Sequence, residues 1–346
     1  MDRRLSNGSS GRHPLHRGPL FKVLHALLFC NGHPSLCDKA YPDVVYMGTH
    51  NSYAYGNGLS DNQYRNITQQ LEDGIRLLQS QGHPFYEPSS QSPSGISLCH
   101  TSCYLQNGGF LEEWLGNVTA WLESNPDEVL TLLVTNPDGV PVSMWKKAFE
   151  FHHLDQISFV PPPGTTFMRR QDWPTLGEMI ESGTRLVTFL DYGADRNQAE
   201  FLLSEFQSIW ENAYDQLSVP FSCEVDRGST RRGKMGLLNH VRDVSYAGIS
   251  IPDKASLNQT NSANSPSESG GILSNFENCT RLSQGVRPTF ILTDFYNVPE
   301  RGGVFEAASV LNQVPLETYP GSSTKSGAAR SGGVSSLVIL STLIGV

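Results

Sequence analysis

The chain reads Gly48-Thr49-His50-Asn51-Ser52-Tyr53 where the short apolar run Val44 to Gly48 ends. A second histidine follows another such run, Ile96 to Cys99, in the stretch Leu98-Cys99-His100-Thr101-Ser102-Cys103. In a (β/α)8 barrel the residues that follow the strands meet at one end, the mouth, and form the active site. The two stretches therefore suggest a barrel with two histidines at its mouth.

The rest of the chain shows the alternation that such a barrel needs. Short apolar runs alternate with longer helical patterns, and eight runs fit a TIM-type (β/α)8 barrel of parallel strands. The runs are Val44 to Gly48, Ile75 to Gln79, Ile96 to Cys99, Val129 to Thr135, Leu186 to Leu190, Phe221 to Val225, Met235 to Leu238 and Thr289 to Thr293.

Two segments are predicted to be helices and one to be a loop. Apolar residues recur at helical spacing from Phe110 to Leu122, and Asn125-Pro126 would end that helix. A similar pattern, with Phe201, Leu202, Phe206 and Trp210, predicts a helix near Ala199 to Tyr214. The Asn- and Ser-rich segment Ser256 to Gly271 is typical of a long surface loop.

The ends of the chain have a different composition from the middle. We predict a targeting or disordered segment at 1–29, the barrel at 30–314, a Gly/Ser linker at 315–333 and a hydrophobic tail at 334–346. Small residues, a polar spacer and a tail too short to span a bilayer have the layout of a GPI-attachment signal, although a disordered tail is the alternative. Near the N-terminus, Leu20 to Phe29 makes only a poor signal peptide.

The composition of the chain limits the kinds of binding partner that we expect. The chain has 346 residues, with 25 Lys and Arg against 34 Asp and Glu, for a formal charge of −9. A nucleic-acid partner is not expected for such an acidic chain. Anionic bilayers would repel it, so we expect a lipid substrate to be reached by tethering or by apolar contact. We expect a monomer.

Cysteines and glycosylation sequons favour an extracellular setting. The six cysteines form three plausible disulfides, although free buried thiols are the alternative: Cys30 with Cys37, Cys99 with Cys103, and Cys223 with Cys279. Asn-x-Ser/Thr sequons occur at Asn7, Asn66, Asn117, Asn258 and Asn278. We predict a glycoprotein at the cell surface or cell wall, held to the plasma membrane by a GPI anchor.

Two histidines at one mouth suit the cleavage of a phosphodiester. With an ordinary pKa near 6.5, one can be neutral and accept a proton while the other is charged and donates one. We predict that His50 is the general base, that His100 is the general acid, and that Asp294 orients one of them. The alternative is that both histidines only form hydrogen bonds to barrel loops.

Other polar residues near the strand ends are predicted to bind substrate: Asn51, Gln79, Gln81, Asn136, Asp191, Tyr192, His240 and Tyr296. For His240 a structural hydrogen bond is favoured over binding, and aromatic packing is the alternative for the two tyrosines. A different interpretation joins His50, His100, His240, Asp191 and Asp294 into a site for a transition metal such as zinc or manganese.

The two histidine stretches and Asp73-Gly74-Ile75-Arg76-Leu77-Leu78-Gln79 resemble the leading blocks of PI-PLC X-domain-like phosphodiesterases, closest to their fungal GPI-anchored members. The likeness continues through four further blocks, Asn125 to Val129, Asp172 to Glu178, Phe189 to Asp195 and Leu292 to Tyr296. It implies a distorted TIM barrel and attack of an inositol hydroxyl on the phosphate of a phospholipid, with His50 as base and His100 as acid. The substrate would be phosphatidylinositol or a related glycerophosphodiester.

The chain departs from this family where a cation is expected. Gln79 and Gln81 stand where calcium-dependent relatives carry Glu and Asp ligands, and Gln81 also replaces the Arg of bacterial relatives. Thr135 or Asn136 replaces a further Glu ligand. Since calcium prefers several carboxylates, we expect no calcium site of the usual form, although another divalent cation stays open. Arg76 should point outward, toward a carboxylate of the outer layer.

These departures leave two hypotheses. The first is a GPI-tethered phosphoric diester hydrolase. The second is a catalytically silent surface protein that binds a glycan or lipid headgroup in the barrel mouth, and the glutamines favour it.

Overall fold

The computed structural model describes residues 29–100, 103–165, 167–214 and 216–321. The predicted N-terminal segment apart from Phe29, the linker beyond Gly321, the hydrophobic tail and the sequon at Asn7 lie outside these residues.

A mostly parallel sheet dominates the described residues. Eight strands, in the order β7-β6-β5-β2-β1-β12-β9-β8, curl into a half-barrel in which all neighbours run parallel. The strands are β1 (Tyr46–Thr49), β2 (Leu77–Phe85), β3 (Gly95–Cys99), β4 (Asn107–Phe110), β5 (Leu130–Thr135), β6 (Leu186–Leu190), β7 (Leu202–Ser204), β8 (Ile209–Glu211), β9 (Met235–His240), β10 (Asp243–Tyr246), β11 (Ile249–Pro252) and β12 (Phe290–Thr293). This confirms the predicted α/β barrel class.

Two predicted barrel strands are wrong. The run Ile96 to Cys99 falls in β3, which pairs antiparallel with the far end of β2 and with β4 and so belongs to a flap outside the barrel. The run Phe221 to Val225 forms no strand. In both cases the apolar side chains pack on the barrel without joining its ladder.

The barrel strands that take their place are β7 and β8, and both lie in the segment predicted to be a helix. Leu202 pairs with Thr188 of β6, and Trp210 pairs with Gly236 of β9. A helix of only four residues, Glu205–Ser208, connects the two strands. Strands of three residues are too short to show a period of two, so the helical spacing of the apolar residues misled the prediction.

Helices cover the outside of the sheet. They are α1 (Ile67–Asp73), α2 (Leu111–Ser124), α3 (Val142–Phe151), α4 (Leu176–Glu181), α5 (Glu205–Ser208), α6 (Leu257–Thr260), α7 (Ile272–Leu282) and α8 (Val304–Asn312). Short 3-10 helices occur at Pro34–Leu36, Tyr41–Asp43, Leu154–Ile157, Arg170–Asp172, Ser267–Ser269 and Leu316–Thr318. The predicted helix before Asn125 is confirmed as α2, whose buried stripe faces the core.

The segment Ser256 to Gly271 is more ordered than the predicted surface loop. It contains α6 and a 3-10 helix, and it buries Leu257 and Ala263. The amide of Asn261 donates to the backbone carbonyl of Asp294 at 2.7 Å. The polar residues that predicted a loop therefore form hydrogen bonds in the interior, and these connect the segment to the end of β12.

Aromatic side chains fill the end of the barrel at which the strands begin. Tyr46 and Phe290, the first residues of β1 and β12, stack with ring centroids 5.6 Å apart. Tyr41 stacks on Trp173 at 4.8 Å. This end is packed, so the mouth is the opposite end, where the strands finish.

Three disulfides join the cysteines in the predicted pairs: Cys30 with Cys37, Cys99 with Cys103, and Cys223 with Cys279. The outward orientation of Arg76 is also confirmed. Its Nε donates to Glu128 at 2.7 Å, and its guanidinium lies over the ring of Trp121.

The packed chain continues beyond residue 314. Tyr319 stacks on Phe305 with centroids 5.7 Å apart, and the amide of Gly321 donates to the carbonyl of Asp73 at 2.8 Å. No helix in the described ranges is long and apolar enough to cross a membrane.

Candidate active site

His50 and Asp294 meet because their strands are neighbours in register. Thr49 of β1 pairs with Thr293 of β12, so the residues after them emerge side by side at the mouth. His50 Nδ1 lies 3.0 Å from Asp294 Oδ1. The side chain of Asn62 donates to the same oxygen at 2.9 Å, which fixes the carboxylate. The structure thus brings Asp294, the predicted orienting carboxylate, into contact with His50.

The partners of His50 set its tautomer. Nδ1 faces a carboxylate and carries the proton, which leaves the Nε2 lone pair to accept from Asn51 Nδ2 at 3.1 Å. Burial disfavours the charged imidazole, but the adjacent Asp294 outweighs burial and raises the pKa of His50 above its ordinary value. Nε2 is thus the nitrogen that can exchange a proton with a bound molecule.

His100 approaches from the flap rather than from a barrel strand. It follows β3, and its Nδ1 lies 3.4 Å from the carbonyl of Ser60. Its ring centroid is 6.0 Å from that of His50, and the two rings are nearly perpendicular at 82°. Burial, and then the charge of His50, lower the pKa of His100. The first proton that this pair takes up in the free protein therefore goes to His50 rather than to His100.

Two side-chain amides that do not follow an apolar run also support this pair. Gln63 Nε2 donates to the backbone carbonyls of His50 and Thr293 at 2.9 and 3.0 Å. Asn62 holds Asp294 and also accepts from Asn51 at 3.1 Å. Both residues lie in the loop after β1, with no apolar run before them, so the sequence offers no comparable signal.

Asn51 and Gln79 lie at the mouth, but they are hydrogen-bonded to each other. Asn51 has a positive φ of 42°, a conformation that Asn tolerates better than most residues. Its backbone amide donates to Gln79 Oε1 at 2.6 Å. Gln81 lies further along β2, opposite Thr135 of β5. The glutamine at position 79 therefore shapes the turn that carries His50.

Asp191 and Tyr192 lie on the far side of the mouth, after β6. Asp191 Oδ1 accepts the backbone amides of Asn136 and Tyr192, both at 2.7 Å. Burial raises the pKa of this carboxyl. Tyr192 is 53% exposed and packs against Phe206, so its ring is open to a ligand. Asn136 is buried and bonds to Val140 and Tyr192, which makes it a structural residue.

Two predicted binding residues do not face the mouth. His240 is buried, with Nε2 donating to Thr260 O at 2.7 Å and Nδ1 accepting from Asn275 at 2.9 Å. Burial lowers its pKa to about 4. Tyr296 is buried against Phe305, and its hydroxyl donates to Asp73 at 2.6 Å. Both predictions are corrected to structural roles, because each polar atom has a partner inside the wall.

A buried charged cluster, which no sequence pattern indicates, lies beside the open edges of the half-barrel. Glu205 and Glu211 are each 1% exposed, and Arg227 forms an ion pair with Glu211. The Arg227 guanidinium also lies 4.7 Å from the ring centroid of Tyr214. Burial, and then the charge of Glu211, raise the pKa of Glu205 well above its ordinary value. The cluster lies where β7 and β8 form the edges of the sheet.

The residues at the mouth do not fit a calcium ion. At the positions where relatives carry ligands, Gln79 Oε1 and Asn136 Oδ1 accept backbone amides at 2.6 and 2.7 Å. Asn51 Oδ1 accepts from Tyr53. In the part of the chain that the structure describes, no three His, Cys, Asp or Glu side chains cluster to hold a metal. The transition-metal interpretation needs His240, but that ring is buried in the wall and hydrogen-bonded to Thr260 and Asn275.

Three predicted glycosylation sites are exposed, namely Asn66, Asn117 and Asn258. Asn66 also caps α1, because its side chain accepts from Gln69 N. Asn278 is only partly exposed, and its Nδ2 lies 3.6 Å from the sulfur of Cys223.

Comparison with known proteins shows the family of the chain. The PI-PLC X 1 family model matches residues 36–312. A protein of Arthroderma benhamiae described as PI-PLC X domain-containing protein 1 is 36% identical over 290 residues, which are 82% of this chain and 90% of that protein. Another protein of this fungus, described as an uncharacterized secreted protein, is 34% identical over 303 residues and is covered to 65% of its length, with 84% of this chain matched.

Among solved structures, a mutant of the phosphatidylinositol-specific phospholipase C from Staphylococcus aureus is 10% identical, with a TM-score of 0.49 and coverage of 80% of this chain and 94% of the bacterial one. The family model, by contrast, spans most of the chain, and the first fungal relative is similar over nearly its whole length. The chain therefore belongs to the PI-PLC X family.

Proposed function

We propose that this protein is a phosphoric diester hydrolase in which His50 and His100 act together on one phosphate. The observation that carries the proposal is the geometry of the pair. His50 is oriented by Asp294 at 3.0 Å, and the His100 ring lies 6.0 Å away across the mouth. This spacing lets both imidazoles reach oxygens of a single phosphodiester.

The proton transfers follow from the tautomers. In neutral His50, Nε2 accepts from Asn51, and this nitrogen takes the proton of the attacking hydroxyl as that oxygen bonds to phosphorus. Asp294 stabilises the imidazolium that forms. His100 gives a proton to the leaving oxygen as the second phosphorus–oxygen bond breaks. One proton is taken and one is given, so the reaction is balanced without water in this step.

The order of the pKa values in the free protein must reverse when substrate binds. The pKa of His50 is raised and that of His100 is lowered, although the base must be neutral and the acid charged. A phosphodiester anion between the rings favours the charged form of His100, since a nearby opposite charge raises the pKa of an imidazole. The imidazolium of His100 then also supplies positive charge beside the phosphate, where relatives use a cation.

The substrate class we propose is phosphatidylinositol or a related glycerophosphodiester, with a neighbouring hydroxyl as nucleophile and a cyclic phosphate as product. Support comes from the family and from the exposed Tyr192 beside Asp191, which can accommodate a polyhydroxylated ring. We further propose an extracellular protein, GPI-anchored and glycosylated. Its three disulfides and the relative described as secreted support the location.

The test is incubation with phosphatidylinositol and with a panel of glycerophosphodiesters, followed by phosphorus NMR. We expect a cyclic phosphate signal that grows with time. His50→Ala should lose the signal while its thermal melt stays near that of the wild type, because the side chain is 24% exposed. Full activity in this variant would refute the acid–base assignment.

A second function is favoured by one observation. The glutamine at position 79 is engaged in the fold, and the mouth lacks the carboxylates of calcium-dependent relatives. The mouth could then bind a lipid headgroup or glycan without turnover. Saturable binding of inositol phosphate with no phosphorus NMR product from any substrate would support this function over the first.

A further inference from the structure

The place of His100 depends on the flap, not on the barrel. It follows β3, which pairs with β2 beyond the end of the barrel, and the residue opposite Cys99 is Asn107 of β4. The His100 backbone amide donates to Gln106 O at 3.3 Å. The ring atom Nδ1 lies 3.4 Å from the carbonyl of Ser60. These are long contacts, in contrast to the 3.0 Å bond that holds His50.

A short covalent ring encloses His100. Cys99 and Cys103 are separated by four positions and are joined by a disulfide, so His100 is the residue directly after the first bridgehead. Cys99 is fully buried at the end of β3, which anchors the ring to the flap. A ring this small leaves the backbone of His100 few conformations, which the two long hydrogen bonds alone would not achieve.

We propose that the Cys99–Cys103 disulfide is a positioning device that holds the His100 ring against His50 across the mouth. Its role differs from that of the Cys30–Cys37 disulfide, which also closes a short loop but lies at the other end of the barrel. There, Gly177 N donates to Cys37 O and Asn31 N donates to Asp127 O. The catalytic consequence rests on the proposed function, whereas the positioning itself can be observed without any substrate.

The readout that needs no substrate is the titration of His100. Burial and the neighbouring His50 hold the pKa of His100 below its ordinary value. If the ring is opened and the side chain leaves this position, both causes vanish and the pKa rises toward about 6.5. The pKa of His50 should keep its raised value, since Asp294 and not His100 raises it.

The experiment compares Cys99→Ser/Cys103→Ser with the matched control Cys30→Ser/Cys37→Ser by imidazole NMR titration, thermal melt and turnover. The two loops are similar in length, so both losses should relax the unfolded chain to a similar degree. We expect the His100 pKa to rise only in the first variant. We expect its kcat/KM to fall by about 100-fold, as a misplacement of about 1 Å can cause, and the control to stay within about twofold.

A further variant covers the case in which the first one does not fold. Two glycines inserted after Ser102 keep the cross-link but enlarge the ring, and the same rise in the His100 pKa is expected. An unchanged His100 titration in the folded variants would overturn the proposal, whatever the activity. A shifted titration in a protein that has no activity toward any phosphodiester would keep the positioning role and reject the proposed function.

Discussion

The contact between His50 and Asp294 controls the charge of the site at the level of single residues. A pair of histidines that must share one proton gives a bell-shaped dependence of kcat/KM on pH. The lowered pKa of His100 places the acidic limb below about 6.5, and the raised pKa of His50 places the alkaline limb above about 6.5.

We predict that Asp294→Asn moves the alkaline limb to lower pH. The carboxylate raises the pKa of His50, so its removal lets burial lower that pKa. The wrong tautomer would also be favoured, and kcat should fall by about 100-fold or more. The measurement is kcat/KM against pH for variant and wild type.

A matched histidine–carboxylate pair outside the site provides the control. His83 Nδ1 lies 2.7 Å from Asp138 Oδ2, and neither residue contacts His50 or His100 in the described structure. Asp138→Asn should therefore leave both limbs in place. If the alkaline limb of Asp294→Asn lies at the same pH as that of the wild type, this limb does not report the titration of His50.

At the scale of elements, the helix α1 begins at a residue with two roles. Asn66 accepts from the amide of Gln69 as N-cap, and it is also the acceptor of a predicted glycosylation sequon with Thr68. We predict that Asn66→Ala lowers the free energy of unfolding by about 1 kcal/mol in protein made without glycosylation. Urea denaturation measures this loss.

Two further substitutions separate the capping role of Asn66 from its role in the sequon. Asn66→Asp keeps a capping oxygen and should retain the stability, while Thr68→Ala removes only the sequon and should change it little. Equal losses for Asn66→Ala and Asn66→Asp would show that the cap does not stabilise the helix.

The predictability of the elements follows from their length. Buried strands of four or more residues, such as β5 and β6, show as apolar runs, and α2 shows as a long stripe ended by Asn125-Pro126. The three-residue strands β7 and β8 carry no readable period, and Ile96 to Cys99 is as apolar as a barrel strand because it packs on one. Sequence patterns report burial, and burial alone does not reveal which ladder a strand joins.

The same limit applies to the candidate site. His50, His100 and Asp294 could be predicted because each directly follows an apolar segment, even though one segment belongs to the flap. Asn62 and Gln63 could not, because they come from an irregular loop that folds back over the end of β1. Tyr296 follows β12 closely enough to seem part of the mouth, but its ring turns outward to Asp73.

At the scale of the whole molecule, the buried His240 makes the fold sensitive to acid. Its pKa is lowered to about 4 in the fold, below the value near 6.5 expected in the unfolded chain. Between these values the unfolded chain binds the extra proton, so stability is lost as the pH falls from about 6.5 to about 4, by on the order of 3 kcal/mol in full. Above about 6.5 this contribution is constant.

We predict that His240→Gln flattens this dependence. A glutamine can donate to Thr260 and accept from Asn275 as the imidazole does, but it does not titrate. Between pH 7 and pH 5 the wild type should lose about 2 kcal/mol more than the variant, as measured by urea denaturation. Parallel losses in the two proteins would mean that His240 is not the acid-sensitive group.

The central claim is that His50 and His100 flank a single phosphate, and imidazole NMR with a non-hydrolysable phosphonate analogue of the phosphodiester tests it most directly. Both histidines should shift together with one saturation curve, the pKa of His100 should rise on binding, and His240 should not respond. A shift confined to one of the two histidines, or to neither while the analogue binds, would contradict the claim.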